Sequence, residues 1–266
     1  MNYRMRDVGL AVAAVAAFAS GASAQDGRFY VGISANAGAL GVAYEKTVIV
    51  REGAPVAEPP ATGETLVRPS SSFDRGATIG SGLFAGYRRR FADDGRFFSA
   101  EVQVAGAGGA ARGYLPGTGL QRGENWPEDW SFGKNWAAGL TGRVGTPVNG
   151  IDLYLLGGAR VTQVAFGAET TGCEHPVCSA DGAYPDFVRG TVARHSTLAG
   201  WSVGVGVEKR MRPDLAFRWE LSYIGYATDE GRMEFDPDPA GMPTISVPSR
   251  FSSSDLELTL SLVRYF

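Results

Sequence analysis

The sequence predicts an all-β protein that forms a single eight-stranded antiparallel up-and-down β-barrel. Three observations support this fold class. Apolar and polar residues alternate with a period of two in eight segments, which places them on opposite faces of each strand. Short and long connections between these segments alternate along the chain. The polar face of most segments also carries charged residues, which a closed ring of strands can pair across its interior.

The first 24 residues have the features of a secretory signal peptide. Arg4 and Arg6 give a positive start, an apolar run follows at residues 8–18, and small residues occupy positions 22–24. We therefore expect residues 1–24 to be removed and residues 25–266 to form one barrel domain.

The charge balance restricts the partners of the chain. It has 25 Lys and Arg against 28 Asp and Glu, a formal net charge of −3, and removal of residues 1–24 would make this about −4. A nucleic-acid partner is not expected, because such partners require a basic face. No segment after the first 24 residues has the ~18 consecutive apolar residues of a transmembrane helix.

Each predicted strand shows the same alternation. The strands lie at 28–43, 77–91, 97–105, 135–146, 151–166, 198–210, 215–226 and from Leu256 to the C-terminus. In that order, their apolar faces carry Val31 and Ile33, Ile79 and Leu83, Val102 and Val104, Leu140 and Val144, Leu153 and Leu155, Val203 and Val205, Trp219 and Leu221, and Leu258 and Leu260. The opposite faces carry glycine, hydroxyl and charged residues.

The connections indicate a membrane barrel. Asp93-Asp94-Gly95, Pro147-Val148-Asn149-Gly150 and Arg212-Pro213-Asp214 are short turn sequences. The other four connections are long, at about 44–76, 106–134, 167–197 and 227–250. Outer-membrane barrels have this arrangement, with short periplasmic turns and long extracellular loops. We therefore predict a transmembrane barrel in the outer membrane of a Gram-negative cell, with its apolar faces toward lipid.

The predicted inward faces carry charges that would fill the barrel. An eight-stranded barrel is just wide enough to be filled by side chains, so we expect these charges to pair across the interior instead of lining a channel. The predicted charge network consists of Arg88, Glu101, Arg143, Asp152, Arg160, Glu208, Arg218, Glu220 and Glu257.

Aromatic residues near the strand ends predict two belts at the level of the lipid headgroups. The turn-end belt would contain Phe29, Tyr87, Phe91, Phe97, Phe98, Phe217, Trp219 and Phe266, and the loop-end belt Trp136, Trp201, Tyr223, Tyr226 and Phe251.

The whole mature chain resembles the superfamily of eight-stranded outer-membrane barrels, which includes the opacity-type surface proteins and the barrel domain of outer-membrane protein A. The segment Gly27-Arg28-Phe29-Tyr30-Val31-Gly32 resembles the first strand of that porin family, and the last strand with its terminal Phe266 resembles the family's membrane-insertion signal. The chain departs from the pattern at Arg264, where an aromatic or aliphatic residue is usual. The resemblance implies recognition by the barrel-assembly machinery, but it implies no particular activity.

Two clusters raise the question of chemistry. Cys173 and Cys178 lie in the third long connection, and we expect them to form a disulfide in an oxidising compartment. Zinc binding with His175 is the alternative, although a fourth ligand is not evident. His195 beside Ser196 is the only pairing that suggests a nucleophilic hydrolase, and a solvated histidine is the simpler interpretation.

Two further patterns have simpler explanations. Gly80-Ser81-Gly82 opens a loose match to a dinucleotide-binding fingerprint, but it lies within a strand and no helix follows. We therefore expect small residues that face a narrow lumen. The acids around Asp229 and Glu230 could bind Ca²⁺ but fit no EF-hand spacing, so a solvated acidic loop is expected.

These observations predict a non-enzymatic, monomeric outer-membrane protein without a cofactor or metal. Its role would be in envelope structure or in surface interaction through the loops, with outer-membrane lipid and lipopolysaccharide as partners. Two alternatives remain open: a small-solute porin, and a lipid A-modifying outer-membrane enzyme that uses His195.

Overall fold

The computed structural model describes residues 27–53, 61–91, 94–115, 128–170, 190–232, 234–235 and 245–266. The strands are β1 (Gly27–Arg51), β2 (Thr65–Arg90), β3 (Phe97–Gly108), β4 (Ala110–Leu115), β5 (Glu128–Val148), β6 (Ile151–Thr170), β7 (Gly190–Arg212), β8 (Leu215–Tyr226), β9 (Asp229–Arg232), β10 (Glu234–Phe235), β11 (Ile245–Ser246) and β12 (Pro248–Tyr265). Among these described residues, no helix is long and apolar enough to cross a membrane.

Eight of the strands form a closed antiparallel ring in the order β1, β2, β3, β5, β6, β7, β8 and β12. β12 closes the ring by pairing with β1, from Tyr30 opposite Tyr265 to Lys46 opposite Ser249. The short strands β4, β9, β10 and β11 extend this wall by pairing with β5, β12, β7 and β1. Closure pairs the edges that an open sheet would expose. The predicted eight-stranded antiparallel barrel is confirmed.

Tight turns join the strands at one end of the barrel, which we call the turn end. Asn149 and Gly150 both have positive φ angles, 50° and 80°, and connect β5 to β6 in the left-handed geometry that suits a two-residue hairpin. Pro213 and Asp214 connect β7 to β8, and Phe91 accepts a hydrogen bond from Gly95 in the turn before β3. The opposite end, called the loop end, carries the longer connections.

The turn-end half of the barrel has an apolar outer surface. Each of the eight ring strands places large aliphatic side chains there, among them Ile33, Leu83, Val102, Leu140, Leu155, Val205, Leu221 and Leu258, all between 44% and 62% exposed. We call this surface the apolar band. It lies where the sequence predicted contact with lipid, because side-chain direction alternates strictly along a strand.

The strands are longer than predicted, and they occupy much of the predicted loops. β1 runs to Arg51 and β2 begins at Thr65, within the loop expected at 44–76. The strand parts beyond the apolar band are called the projecting wall: 40–51 of β1, 65–76 of β2, β4, 128–135 of β5, 163–170 of β6, 190–198 of β7 and 248–255 of β12. Twelve residues of a strand tilted by ~40° extend this wall by about 30 Å on β1.

The projecting wall reverses the sidedness of the apolar band. Val48 and Val50 are buried inside it, whereas Glu45 and Thr47 lie on its outer face. The same holds on β12, where Phe251 is buried and Ser252 is exposed. On β1 and β12 this part of the chain therefore packs like a water-soluble barrel, because its outer face there is mainly polar and its interior is mainly apolar.

The aromatic belts are partly as predicted. Trp136, Trp201 and Tyr223 are exposed on the outer face near the loop end of the apolar band. Two members of that predicted belt, Tyr226 and Phe251, instead point into the barrel and are buried. At the turn end, Phe97 is also buried inside, while the outer face there carries Phe29, Tyr87, Phe91, Phe98, Phe217, Trp219 and Phe266. Tyr226, Phe251 and Phe97 are buried because they occupy inward-facing positions of their strands. A position near the end of a strand does not by itself show which way the side chain points.

Candidate functional site: the barrel interior

The turn-end half of the interior is filled by a continuous chain of eight alternating charges, called the ionic cluster. In order of contact it consists of Arg90, Asp152, Arg88, Glu208, Arg218, Glu101, Arg143 and Glu220. Four guanidinium groups face four carboxylates, so the formal charge of the cluster is zero. The alternation offsets the cost of taking ions out of water, which is several kcal/mol for an unpaired ion.

Arg218 is the centre of the ionic cluster. Its Nε donates to Oε2 of Glu208 at 3.0 Å, and its Nη1 donates to Oε2 of Glu101 at 2.7 Å. Its guanidinium also lies 5.1 and 5.2 Å from the ring centroids of Phe84 and Tyr30. Buried aromatic faces supply further attraction for the cation.

Strand register accounts for only part of this arrangement. Glu208 lies directly opposite Arg218 on the neighbouring strand, and Asp152 lies opposite Glu208 on the other side. Arg143, in contrast, reaches Glu220 across the barrel, with Nε 2.7 Å from Oε1. The like-charged neighbours Asp152 and Glu208 are tolerated because Arg88 binds both, at 3.1 and 2.8 Å.

Tyrosine hydroxyl groups donate further hydrogen bonds to the carboxylates of the ionic cluster. Tyr265 Oη donates to Oε1 of Glu208 at 2.6 Å, and Tyr154 Oη donates to Oε1 of Glu220 at 2.9 Å. The Arg88 guanidinium stacks on the Phe97 ring at 3.9 Å. These contacts hold the cluster rigid, because each carboxylate has donors on more than one side.

A second, smaller polar group lies above the ionic cluster. Arg160 Nη1 binds Oε1 of Glu257 at 3.1 Å, and Asn36 Nδ2 donates to Oε2 of the same carboxylate at 3.0 Å. These groups border a cavity of about 20 Å³, lined also by Ser34, Gln103 and Thr259. That space holds about one water molecule. The interior at this level is therefore too narrow for a continuous water column.

The loop-end half of the interior is closed by an aromatic cluster, which consists of Tyr44, Trp130, Phe132, Phe166 and Phe251. Ring centroids lie 4.8 Å apart between Phe132 and Phe251, and 5.0 Å apart between Phe166 and Phe251. The aliphatic side chains of Leu40, Val42, Val164, Leu198 and Ile224 are buried in the same core. Close-packed apolar side chains exclude water, so this cluster seals the barrel from the loop end.

Two ion pairs of the upper interior were not predicted. Lys134 binds Asp255 beneath the aromatic cluster, and Lys46 binds Glu128 within the projecting wall, with 2.8 Å between Nζ and Oε2. Tyr44 Oη also donates to Oε1 of Glu128 at 2.5 Å. The two-residue alternation of side-chain direction indicates both pairs. Asp255 lies two residues before Glu257 and Lys46 lies two residues after Tyr44, so each of them points inward as that residue does. Three of these four charges, Lys46, Glu128 and Lys134, lie in segments that the sequence predicts to be loops, where no alternation of side-chain direction is expected.

Two groups that contact Glu128 in the projecting wall, Lys46 and Tyr44, have shifted pKa values. Burial lowers the pKa of the Lys46 amine below 10.5, and the neighbouring Glu128 carboxylate opposes this only in part. Burial raises the pKa of Tyr44 and Glu128 adds to the effect, so the phenol stays protonated and donates to that carboxylate.

We expect the barrel to gain stability as the pH rises from the lowered pKa of Lys46 toward 10.5. In that interval the unfolded chain still binds a proton that the folded barrel has released. Lys46→Met should remove this gain, whose slope is at most about 1.4 kcal/mol per pH unit. Urea unfolding of both proteins in detergent between about pH 8 and pH 10 measures the difference. Identical pH slopes for the two proteins would contradict the prediction.

The structure places the predicted charges as follows. Seven of the nine are in the ionic cluster, and Arg160 and Glu257 form the separate pair above it. Phe266 is 69% exposed at the turn end, and its backbone N–H donates to the carbonyl of Phe29 at 2.9 Å. Cys173 and Cys178 lie outside the described residues, as does the predicted signal peptide.

His195 and Ser196 do not form a nucleophile and base pair. They are adjacent on β7 and therefore face opposite sides of the wall, with His195 exposed outside and Ser196 inside. Ser196 Oγ donates instead to Oδ2 of Asp229 at 2.8 Å, and Arg194 lies 3.4 Å from the same carboxylate. Among the described residues, no group of three or more His, Cys, Asp and Glu side chains is arranged to hold a metal ion.

Comparison with known proteins gives structural likenesses only. No family model and no curated protein matches the sequence. Among solved structures, the outer membrane protein OprG of Pseudomonas aeruginosa matches with a TM-score of 0.40 at 12% identity, over 88% of this chain and 96% of that one. The outer membrane protease OmpT of Escherichia coli matches with a TM-score of 0.34 at 9% identity, over 88% and 97%. Neisserial surface protein A matches with a TM-score of 0.31 at 15% identity, over 90% and 97%. Likenesses this distant carry no argument about activity.

The architecture itself identifies the environment of the chain. A sheet that crosses a bilayer satisfies all its backbone hydrogen bonds only if it closes into a ring, because an open edge would leave unpaired groups in hydrocarbon. The ring here has an apolar band outside, an ionic interior, tight turns at one end and aromatic residues at both borders, which is the construction of outer-membrane barrels. The chain is an eight-stranded transmembrane β-barrel of the outer membrane.

Proposed function

We propose that this barrel is a non-enzymatic, non-conducting surface protein that presents its loop end outside the cell for envelope structure or surface interaction. The observation that carries the proposal is the projecting wall with its aromatic core. A wall packed like a soluble protein holds the loops away from the membrane on a rigid support, and binding sites are commonly built on loops supported in this way.

The interior supports the same proposal. A pore requires a continuous polar path, whereas the aromatic cluster closes the loop-end half of this barrel and the ionic cluster fills the turn-end half. The positions of His195 and Ser196 on opposite faces of β7 also favour a non-enzymatic role over a lipid-modifying one. Assembly as a monomer through recognition of the last strand and Phe266, and contact with outer-membrane lipid and lipopolysaccharide, complete the proposal.

Single-channel recording tests the proposal against a small-solute porin. We expect the purified barrel, reconstituted in planar bilayers, to give conductance no higher than the protein-free bilayer, because both interior layers are closed. An engineered barrel with a widened lumen serves as the positive control for insertion. Discrete openings of the wild-type protein in symmetrical salt solution would instead favour the porin.

Heat-modifiability on gels tests the location independently. A folded barrel should resist detergent and migrate differently after boiling, and the unboiled form should be found in the outer-membrane fraction. Recovery of the protein from the aqueous fraction would contradict the proposal.

A further inference from the structure

Two exposed arginines lie side by side on the outer face of the barrel. Arg75 is on β2 and Arg112 is on β4. The strands approach so closely here that a Cβ atom on Gly76 would meet the backbone of Ala110, and one on Gly113 would meet the carboxylate of Asp74. Asp74 is a neighbour of Gly113, and Gly76 lies beside the peptide bond between Ala110 and Ala111. Pairing Asp74 with Gly113 and Gly76 with Ala111 places Arg75 opposite Arg112. Facing Cβ atoms on adjacent strands are about 5 Å apart.

These two guanidinium groups have no carboxylate partner among the residues that the structure describes. Asp74 has the opposite parity and lies on the inner face. On the other side, Arg112 is opposite Ser131 of β5, and Asp129 is opposite Tyr114. Like charges in facing positions repel, so an arrangement of this kind favours an anion between them. The four arginines of the ionic cluster, in contrast, all have carboxylate partners.

Aromatic side chains border the two arginines. Phe73 and Tyr114 lie two residues toward the loop end on the same outer face, and they are 57% and 49% exposed. The Arg75 guanidinium is 5.6 Å from the centroid of the Phe73 ring. Exposed aromatic rings next to cations are typical of the border between hydrocarbon and headgroups.

The position along the strands matches that border. On β2 the outer face runs from Leu83 through Ile79 and Ala77 to Arg75, so Arg75 is the first charge beyond the apolar band on the way to the loop end. Arg112 likewise follows Ala110 on β4. In the proposed orientation, which this inference takes from the proposed function, the loop end faces the outer leaflet. Its lipid phosphates lie at this level.

We propose that Arg75 and Arg112 bind a phosphate on the sugar headgroup of an outer-leaflet glycolipid, the phosphorylated glucosamine of lipid A. Each planar guanidinium can donate two parallel hydrogen bonds to phosphate oxygens. Ile79 and Leu83 extend below as a surface for the acyl chains, and Phe73 and Tyr114 pack against the sugar. The site would fix the height and rotation of the barrel in the membrane.

Binding of purified barrel in detergent to two probes tests the site: lipid A with both phosphates, and the same lipid after enzymatic dephosphorylation. We expect the double substitution Arg75→Gln and Arg112→Gln to weaken binding of phosphorylated lipid A at least tenfold and to leave the dephosphorylated probe unaffected. The matched control, Arg89→Gln with Arg212→Gln, removes two exposed arginines from the turn end and should stay within twofold of wild type.

Three results would overturn the proposal: an arginine double variant within twofold of wild type, equal binding of both lipid probes by the wild type, or displacement of lipid A by inorganic phosphate at equal concentration. Both double variants must first show the heat-dependent gel shift of a folded barrel. Failure of the binding test with an intact gel shift would reject the site and keep the proposed function, whereas a wild-type protein without the gel shift would reject the proposed function.

Discussion

Arg218→Ala should lower the free energy of unfolding of the barrel by about 3–5 kcal/mol, because it leaves Glu101 and Glu208 as buried charges without their central partner. Arg218 itself is fully buried, so solvent cannot replace the guanidinium. Urea titration of the purified barrel in detergent, with the folded fraction measured by the heat-dependent gel shift, gives the change in unfolding free energy.

Two further variants separate the ionic effect from simple loss of a side chain. Arg89→Ala removes an exposed arginine at the turn end and should change stability by no more than about 0.5 kcal/mol. Adding Glu101→Gln to Arg218→Ala should restore part of the loss, because it returns the formal charge of the ionic cluster to zero. If Arg218→Ala were as stable as Arg89→Ala, the ionic cluster would not contribute to the fold as described.

Leu258→Arg should destabilise the barrel in a lipid bilayer by about 2–4 kcal/mol, the cost of an arginine on the lipid face near the bilayer midplane. Ser252→Arg, on the same outer face of β12 but six residues nearer the loop end, should cost only about 0–1 kcal/mol. The difference arises because Leu258 belongs to the apolar band and Ser252 to the projecting wall. The free energies of unfolding of both variants in liposomes, compared with that of the wild type, measure this difference.

This pair of variants tests the reversal of sidedness directly. Equal costs at the two positions would mean that the membrane covers the projecting wall as well, and the proposed support for the loops would be lost. Repeating the titration in detergent micelles provides the control, since a micelle adapts to the protein and should reduce the difference.

The side-chain directions in the membrane part of the barrel were predictable from sequence. Leu258 and Leu260 face outward and Glu257 inward, as the alternation indicated. This prediction succeeds because each residue of an extended strand reverses the direction of its side chain, whatever the strand pairs with. The turn at Asn149 and Gly150 was also predictable from the sequence, because asparagine and glycine are among the few residues that readily adopt positive φ angles.

The ends of the strands were not predictable in the same way. Residues such as Thr47, Val48, Ile49 and Val50 alternate only weakly, because Ile49 on the outer face is apolar as well. Beyond the apolar band the inner side of β1 is the more apolar one, so the alternation with an apolar outer face does not continue there. The predicted loop at 44–76 therefore begins too early and includes Lys46, and the predicted loop at 106–134 ends too late and includes Glu128 and Lys134.

In the membrane part of the barrel, the apolar face and the charged face of each strand follow directly from the amino-acid order, because they depend only on the two-residue period of the backbone. Tertiary structure alone decided which charges meet, as in the contact of Arg143 with Glu220 and of Lys134 with Asp255. It also decided where the apolar side changes from outside to inside. Both depend on ring closure and on the stagger between neighbouring strands. Closure and stagger bring residues that are far apart in the chain to the same level along the barrel axis, and they fix where each level lies relative to the membrane.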